Sequence, residues 1–219
     1  MAKVVCWAPY AKAFEQSIAT LLRADFPAGW IAQDVYVGEE QIDVLAVLPQ
    51  GICAIECKAY TGQIAGDANR PWVARNGSKD TLIEPQHRNP YRQALTKAFA
   101  VSDLLKGVLQ ANPQWAAAER PWIHACVVFP QETDLSGLRG VPVDPAIVLP
   151  RGQERVLVFH PDRLSSYLGS MARKLERRLA AALVMTLGGK AQGTWLEDKA
   201  PESKPEGQRR RWQLRIVWE

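Results

Sequence analysis

Two apolar runs, Gln41-Ile42-Asp43-Val44-Leu45-Ala46-Val47-Leu48 and Gly51-Ile52-Cys53-Ala54-Ile55-Glu56-Cys57-Lys58, flank the dipeptide Pro49-Gln50. Val, Ile and Leu dominate both runs, and a Pro and a Gly mark the reversal between them. The pattern predicts two antiparallel strands joined by a tight turn, with Pro49 at the second position of a type I turn. Such a turn pairs Leu48 with Gly51.

Three charged residues interrupt these arms, namely Asp43, Glu56 and Lys58. Charges within a core strand are costly unless something pairs them. The register that pairs Leu48 with Gly51 also sets Asp43 across from Glu56, whereas a slip of one residue would turn Asp43 to the other face. Glu56 and Lys58 are two residues apart and therefore share one face of their strand. The sequence predicts a cluster of these three side chains.

Two neighbouring carboxylates repel each other unless a cation lies between them. In a metal-free protein this repulsion would raise the pKa of one of the two carboxyl groups. Replacing Asp43 by Asn is then expected to relieve that repulsion. Two oxygen donors with room for water suit Mg²⁺ or Mn²⁺ better than zinc. A nearby lysine can orient a water and stabilise negative charge that develops on a phosphate. The alternative is a structural salt bridge of Lys58 with Glu56 or Asp43, and the hairpin alone leaves both interpretations open.

Asp43 followed by Glu56-Cys57-Lys58 resembles the PD-(D/E)xK nuclease signature. The first half of the chain, about residues 11 to 129, more narrowly resembles the NERD (nuclease-related) domain. The resemblance is carried by six blocks in a fixed order: Glu15 in the opening helix, Gln41-Ile42-Asp43, Ile55-Glu56-Cys57-Lys58, Tyr60-Thr61-Gly62-Gln63-Ile64, Trp72, and Asn89-Pro90-Tyr91-Arg92-Gln93.

The resemblance implies an α/β fold with a restriction-endonuclease-like αβββαβ core and metal-dependent hydrolysis of phosphodiester bonds in DNA, with RNA as the alternative substrate. Asp43, Glu56 and the backbone carbonyl of Cys57 would hold Mg²⁺, with Mn²⁺ as a substitute. Lys58 would position and activate the attacking water, and Glu15 and Gln93 would complete the site. One rival is a nucleic-acid-binding or adaptor domain that keeps this fold without turnover. Another is a scaffold whose carboxylate cluster is purely structural.

The remaining patterns place helices on both sides of a mixed sheet. Asn89 caps a predicted helix with Pro90 at its first position, and Gln93 and Lys97 lie one turn apart on its more polar side. Both are candidates to contact the site or a phosphate backbone. The other predicted elements are helices Ala11–Asp25 and Pro161–Leu187, strands Asp34–Val37, Trp122–Phe129 and Arg155–Phe159, and a hairpin over Pro71–Glu84 that turns at Asn76-Gly77.

Positive charge is concentrated in the last third of the chain. Residues 151–219 hold 14 Lys and Arg against 8 Asp and Glu, although the whole chain carries a formal charge of only +4. Within the helix predicted over Pro161–Leu187, four basic residues lie opposite the apolar stripe: Arg173, Lys174, Arg177 and Arg178. They are candidates for nonspecific contact with a phosphate backbone. A solvated helix face explains the same pattern.

At 219 residues the chain suits one domain, which we place at residues 1–187. Residues 188–208 are rich in Gly, Pro, Lys and Glu and are typical of a linker. Residues 209–219 resemble an edge strand or the start of a further domain. NERD domains are often joined to helicase or kinase-like modules, so such a partner is expected in cis or in trans. The absence of a signal-peptide pattern or a long apolar run predicts a cytoplasmic protein with reduced cysteines and no membrane partner.

Overall fold

The computed structural model describes residues 4–6, 13–83, 89–112, 121–145, 156–171 and 175–188. These residues form a mixed α/β fold, as the sequence predicts. The helices of the described ranges are α1 (Ala13–Asp25), α2 (Pro90–Gln110), α3 (Pro161–Ser170) and α4 (Arg177–Thr186). The strands are β1 (Val4–Cys6), β2 (Trp30–Val37), β3 (Glu40–Leu48), β4 (Gly51–Cys57), β5 (Gln63–Asp67), β6 (Val73–Asn76), β7 (Lys79–Leu82), β8 (Ile123–Val128), β9 (Asp134–Arg139) and β10 (Leu157–Phe159).

A six-stranded mixed sheet carries the core, with strand order β1-β2-β3-β4-β8-β10. Strands β2, β3 and β4 are antiparallel to their neighbours within this trio, whereas β4, β8 and β10 run parallel. The succession α1, β2, β3, β4, α2, β8 reproduces the αβββαβ order that the resemblance implied. Strands β5 to β7 are inserted between β4 and α2.

The central hairpin has the predicted register. Leu48 pairs with Gly51 across Pro49-Gln50, and the pairing continues without a slip to Val44 and Ile55. Both strands lie in the interior of the sheet, which explains their high content of Val, Ile and Leu. The fixed register brings Asp43 and Glu56 to the same end of the hairpin.

Helices cover both faces of the six-stranded sheet. On one face, Ala94, Ala98 and Val101 of α2 pack with residues of α4 against alternate side chains of β3 and β4, among them Leu45 and Ala54. On the other face, a second cluster packs α1 and α3 against the intervening side chains of the same strands: Ile18, Leu22, Leu164, Leu168, Val44, Cys53, Ile55 and Cys57. Strand β4, and β3 from Val44 to Leu48, therefore alternate between two cores.

A second sheet, of strand order β7-β6-β5-β9, follows the central hairpin. The predicted hairpin is confirmed, but its two-residue connection is Gly77-Ser78, because Asn76 still pairs with Lys79; Gly77 has a φ of +60°. Trp72 is fully buried, stacks on Phe129 with 6.1 Å between ring centroids, and donates its indole N–H to the Asp67 carbonyl. Strands β5 and β9, which pair in parallel, were not predicted.

The prediction of one long helix over Pro161–Leu187 is wrong, because α3 ends at Ser170 and α4 begins at Arg177. Met171 leaves the helical region with a ψ of 123°, and Glu176 is also extended. The apolar stripe is nevertheless buried, so the helical periodicity predicts the buried residues but not the break between α3 and α4. Strand β2 also begins at Trp30, earlier than predicted. Outside the described residues lie Arg173, Lys174, the proposed linker beyond Gly188 and the segment 209–219.

Cys53, Cys57 and Cys126 are buried free thiols, as expected for reduced cysteines. None of the helices within the described ranges is both long enough and apolar enough to cross a membrane.

Candidate active site

The end of the central hairpin that carries Asp43 and Glu56 lies under α2. Beyond the last ladder pair, the backbone N–H of Cys57 donates to Asp43 Oδ2 at 2.8 Å, so the Asp43 side chain bridges β3 to β4. Glu56 is buried and projects from the face of β4 that also carries Ile52 and Ala54. The two carboxylates meet in the gap between the sheet and the helix.

Lys97 of α2 fills that gap. Its Nζ lies 3.1 Å from Asp43 Oδ1 and also donates to Glu56 Oε2, and the residue is only 8% exposed. Burial opposes the charged form, but the neighbouring Glu56 and Asp43 more than compensate and raise the pKa of the Lys97 ammonium. The carboxylate pair is therefore bridged by a lysine whose charged form it stabilises.

Lys58 contacts the other oxygen of the same glutamate. Its Nζ lies 2.7 Å from Glu56 Oε1, and both side chains are almost completely buried. The backbone N–H of Lys58 donates to the Val128 carbonyl at 2.9 Å, which continues the pairing of β4 with β8 past the end of the strand. The side chain is thus held on the carboxylate face by regular sheet geometry.

Glu15 of α1 acts electrostatically on the cluster. It is buried in the first turn of that helix. Burial and the charges of Asp43, Glu15 and Glu56, in that order, raise the pKa of the Cys57 thiol well above its usual value, with Lys97 opposing them. Glu15 is accordingly close enough to act on β4 at Cys57, although α1 packs on the opposite face of the sheet from α2.

Gln93 lies one helical turn before Lys97, on the same side of α2. Its Oε1 is buried and has no hydrogen-bond partner among the residues that the structure describes. The turn itself is anchored, because Asn89 caps the helix by accepting from the Arg92 amide and donates to the Arg70 carbonyl at 2.7 Å. A buried carbonyl oxygen without a partner is costly unless a ligand or water satisfies it.

The donor set fits a hard divalent cation. Oxygens of Asp43 and Glu56, from two different strands, converge on one point that the Lys97 ammonium fills. Within the described ranges, no three His, Cys, Asp or Glu side chains group as a metal site. Mg²⁺ needs no more than one or two carboxylates, because it retains several waters. A backbone oxygen such as the Cys57 carbonyl can supply a further ligand.

Sequence reasoning grouped Asp43, Glu56 and Lys58, and the structure brings these three together. The sequence makes Lys97 a candidate to contact the site or a phosphate backbone, and in the structure it lies between the two carboxylates. Its spacing of four residues from Gln93 was the available signal. Of the basic cluster, Arg178 is exposed, whereas Arg177 is half-buried and its Nε and Nη2 are buried without a hydrogen-bond partner among the described residues.

Comparison with known protein families gives one match. The model of the family described as nuclease-related domain (NERD) matches residues 11–130, which is more than half of the chain. Neither the curated proteins nor the solved structures include a match. The matched range contains α1, the central hairpin, α2 and β8. It therefore includes every residue of the carboxylate–lysine cluster, namely Asp43, Glu56, Lys58 and Lys97.

Proposed function

Because this chain belongs to the nuclease-related domain family, we propose that it is a metal-dependent nuclease that hydrolyses phosphodiester bonds of DNA, with RNA as the alternative substrate. One observation carries the proposal. Oxygens of Asp43 and Glu56 converge on a single cation position, and the ammonium of Lys58 lies 2.7 Å from the remaining oxygen of Glu56. The cofactor that suits these donors is Mg²⁺, with Mn²⁺ as a substitute.

Each residue has a distinct task in this proposal. Asp43 and Glu56 hold the metal, helped by the carbonyl of Cys57. When bound, the metal supplies Lewis-acid polarisation of the phosphate and a more acidic water. Lys58 positions the attacking water and stabilises the negative charge that develops on the phosphate, which its fixed bond to Glu56 makes possible without reorganisation. Glu15 and Gln93 complete the site, Gln93 through a buried side-chain oxygen that has no hydrogen-bond partner among the described residues.

A second candidate is a nucleic-acid-binding or adaptor domain without turnover. The observation in its favour is that the ammonium groups of Lys58 and Lys97 already pair with Glu56 and Asp43. Buried carboxylates that are paired in this way can hold the strands and α2 together without a metal ion. In either case we expect a cytoplasmic protein that acts with a helicase or kinase-like module, in cis or in trans.

Cleavage assays separate the two candidates. The purified protein is incubated with single-stranded DNA, linear and supercoiled duplex DNA, and RNA, each with Mg²⁺, Mn²⁺ or EDTA. Metal-dependent cleavage that Glu56→Gln abolishes supports the nuclease. The matched control is Asp103→Asn, a carboxylate-to-amide change at an exposed position of α2. Binding without cleavage of any substrate, in wild-type protein, would favour the adaptor.

A further inference from the structure

The two carboxylates that would hold a metal share one ammonium group. Lys97 Nζ bonds to Asp43 Oδ1 and to Glu56 Oε2, while the other oxygens of these residues accept from the Cys57 amide and from Lys58. The Lys97 ammonium therefore contacts the remaining oxygen of each carboxylate. A divalent cation held by Asp43 and Glu56 would compete with the Lys97 ammonium for these carboxylates.

Lys97 and a divalent cation cannot occupy this position together. They would compete for one pair of ligands, and two cations a few ångströms apart repel strongly in a buried site. Whichever cation is present, the Lys97 ammonium or the metal, it also stabilises the fold, because without a cation the paired carboxylates repel each other. A lysine suits both states because its flexible four-carbon stem lets the ammonium move while the backbone stays in place.

We propose that Lys97 is a tethered counter-ion that holds Asp43 and Glu56 together in the metal-free protein, and that it must be displaced for a divalent cation to enter. It is thus a positioning residue that sets the metal affinity of the site. This inference rests on the proposed function in assuming that the pair binds metal. Lys97, a residue of α2 that is not itself a metal ligand, thereby limits the affinity of the site for a divalent cation.

The packing of α2 indicates that displacement is a side-chain movement. Ala94 and Ala98, which flank Lys97 along the helix, are buried in the core. The N-terminus of α2 is held by the bonds of Asn89 to the carbonyls of Arg70 and Asp67. Because the helix is fixed at its end and along its length, the ammonium leaves the carboxylates by rotation of the lysine stem. It then remains on the side of α2 that carries Gln93.

The first test measures Mn²⁺ binding by calorimetry in wild-type protein and in Lys97→Gln, without nucleic acid. Removing the competing charge should tighten binding by about tenfold or more. Thermal melting in EDTA should show Lys97→Gln less stable than wild type, with a larger rise in melting temperature on adding Mn²⁺. The matched control is Lys106→Gln, an exposed lysine nine residues further along α2, about 13 Å along the helix axis. Unchanged or weaker Mn²⁺ binding by Lys97→Gln would overturn the inference.

The second test needs no variant and covers the case in which Lys97→Gln fails to fold. Lysines of wild-type protein are labelled with an acylating reagent, with or without saturating Mg²⁺, and quantified by peptide mass spectrometry. Mg²⁺ should accelerate labelling of Lys97 severalfold and leave Lys106 unchanged. Labelling of Lys97 that Mg²⁺ does not accelerate overturns the inference.

The inference and the proposed function fail separately. Metal-dependent cleavage together with a metal affinity that Lys97→Gln leaves unchanged would refute the counter-ion role alone. Absence of Mn²⁺ binding in both wild type and Lys97→Gln would refute both, because the counter-ion role requires a metal that competes. Tighter binding by Lys97→Gln in a protein that cleaves no nucleic acid would support the counter-ion role and refute the nuclease.

Discussion

The backbone amide of Cys57 donates to Asp43 Oδ2 at 2.8 Å, which ties the carboxylate of one strand to the backbone of its neighbour. Asp43 Oδ1 accepts from Lys97. Both oxygens are therefore engaged without metal, and the repulsion from Glu56 that the sequence led us to expect is compensated by a shared ammonium. The expectation that Asp43→Asn would stabilise the metal-free protein is reversed by this arrangement.

Asp43→Asn should destabilise the protein in EDTA and abolish metal-dependent cleavage. The substitution removes one of the two negative charges that pair with the buried Lys97 ammonium, and a charge-assisted hydrogen bond of this kind contributes about 1–3 kcal/mol. The free energy of unfolding is measured by urea denaturation in EDTA. The exposed Asp103→Asn serves as control and should change it little. An Asp43→Asn protein more stable than wild type in EDTA would contradict the pairing.

Lys58→Ala should spare metal binding and remove most of the cleavage. Lys58 contacts Glu56 Oε1, which is not the oxygen that meets Lys97, so its loss leaves the converging pair in place. Losing a preorganised charge at the reacting phosphate typically lowers the rate about 10²–10³-fold. Single-turnover cleavage and Mn²⁺ calorimetry separate the two effects, with Lys106→Ala as control. If Lys58→Ala lowered the Mn²⁺ affinity along with the cleavage rate, Lys58 would instead be required for metal binding.

The basic residues of the last third should act on affinity and not on chemistry. Replacing Arg173, Lys174, Arg177 and Arg178 by Ala should reduce the slope of log affinity against log salt by up to about 4 if each contacts a phosphate of B-DNA. Arg178 is exposed, and its replacement alone should reduce this slope by about 1. Arg177 should contribute less, because part of its guanidinium is buried. An unchanged slope in the fourfold variant would identify the patch as a solvated face.

Local sequence rules were sufficient for the central hairpin. The two-residue connection Pro49-Gln50 sets the register, and the strand period of two then puts Glu56 and Lys58 on one face, where their side chains meet at 2.7 Å. These relationships span few residues and depend on backbone geometry alone. That is why they were predictable without the tertiary structure.

The contact of Lys97 with Glu56 joins residues 41 positions apart and depends on how α2 is rotated on the sheet. Periodicity placed Lys97 on a polar side of the helix, but only packing of Ala94 and Ala98 decides that this side faces the carboxylates. Strand β9 was missed for a related reason. Its sequence, Asp134-Leu135-Ser136-Gly137-Leu138-Arg139, has no β-branched residue and is extended through its parallel pairing with β5.

Gly62→Ala should be more destabilising than Gly77→Ala, although both glycines have positive φ, of +82° and +60°. An alanine in this region costs about 1–2 kcal/mol. At Gly77 an added Cβ meets no atom of the described residues within 4 Å, whereas at Gly62 it would overlap the Arg75 carbonyl oxygen and Asn76 Oδ1. Overpacking adds about 1–3 kcal/mol. Urea denaturation of the two variants checks this, and equal losses would mean that β6 moves freely away from Gly62.

His160 links α3 to two loops and requires a proton to do so. Its Nδ1 lies 2.6 Å from Asp144 Oδ2 and its Nε2 lies 2.9 Å from the Thr133 carbonyl, so both ring nitrogens face acceptors. Burial by itself lowers the pKa of His160, but the bonds to Thr133 and Asp144 and the charges of Asp144 and Asp162 raise it by more. Asp144 itself has a φ of +42°, which only a well-determined environment sustains.

A histidine whose pKa is raised on folding stabilises the protein fully below its unfolded pKa of about 6.5, and this contribution is lost as pH rises through the folded pKa. Wild-type protein should therefore lose more stability than His160→Gln between pH 6 and pH 9. Urea denaturation across this range measures the difference. His124, whose pKa burial lowers to about 4, has the opposite dependence but is common to both proteins and cancels. Parallel stability curves would show that His160 is neutral in the folded protein, with one of its two hydrogen bonds absent.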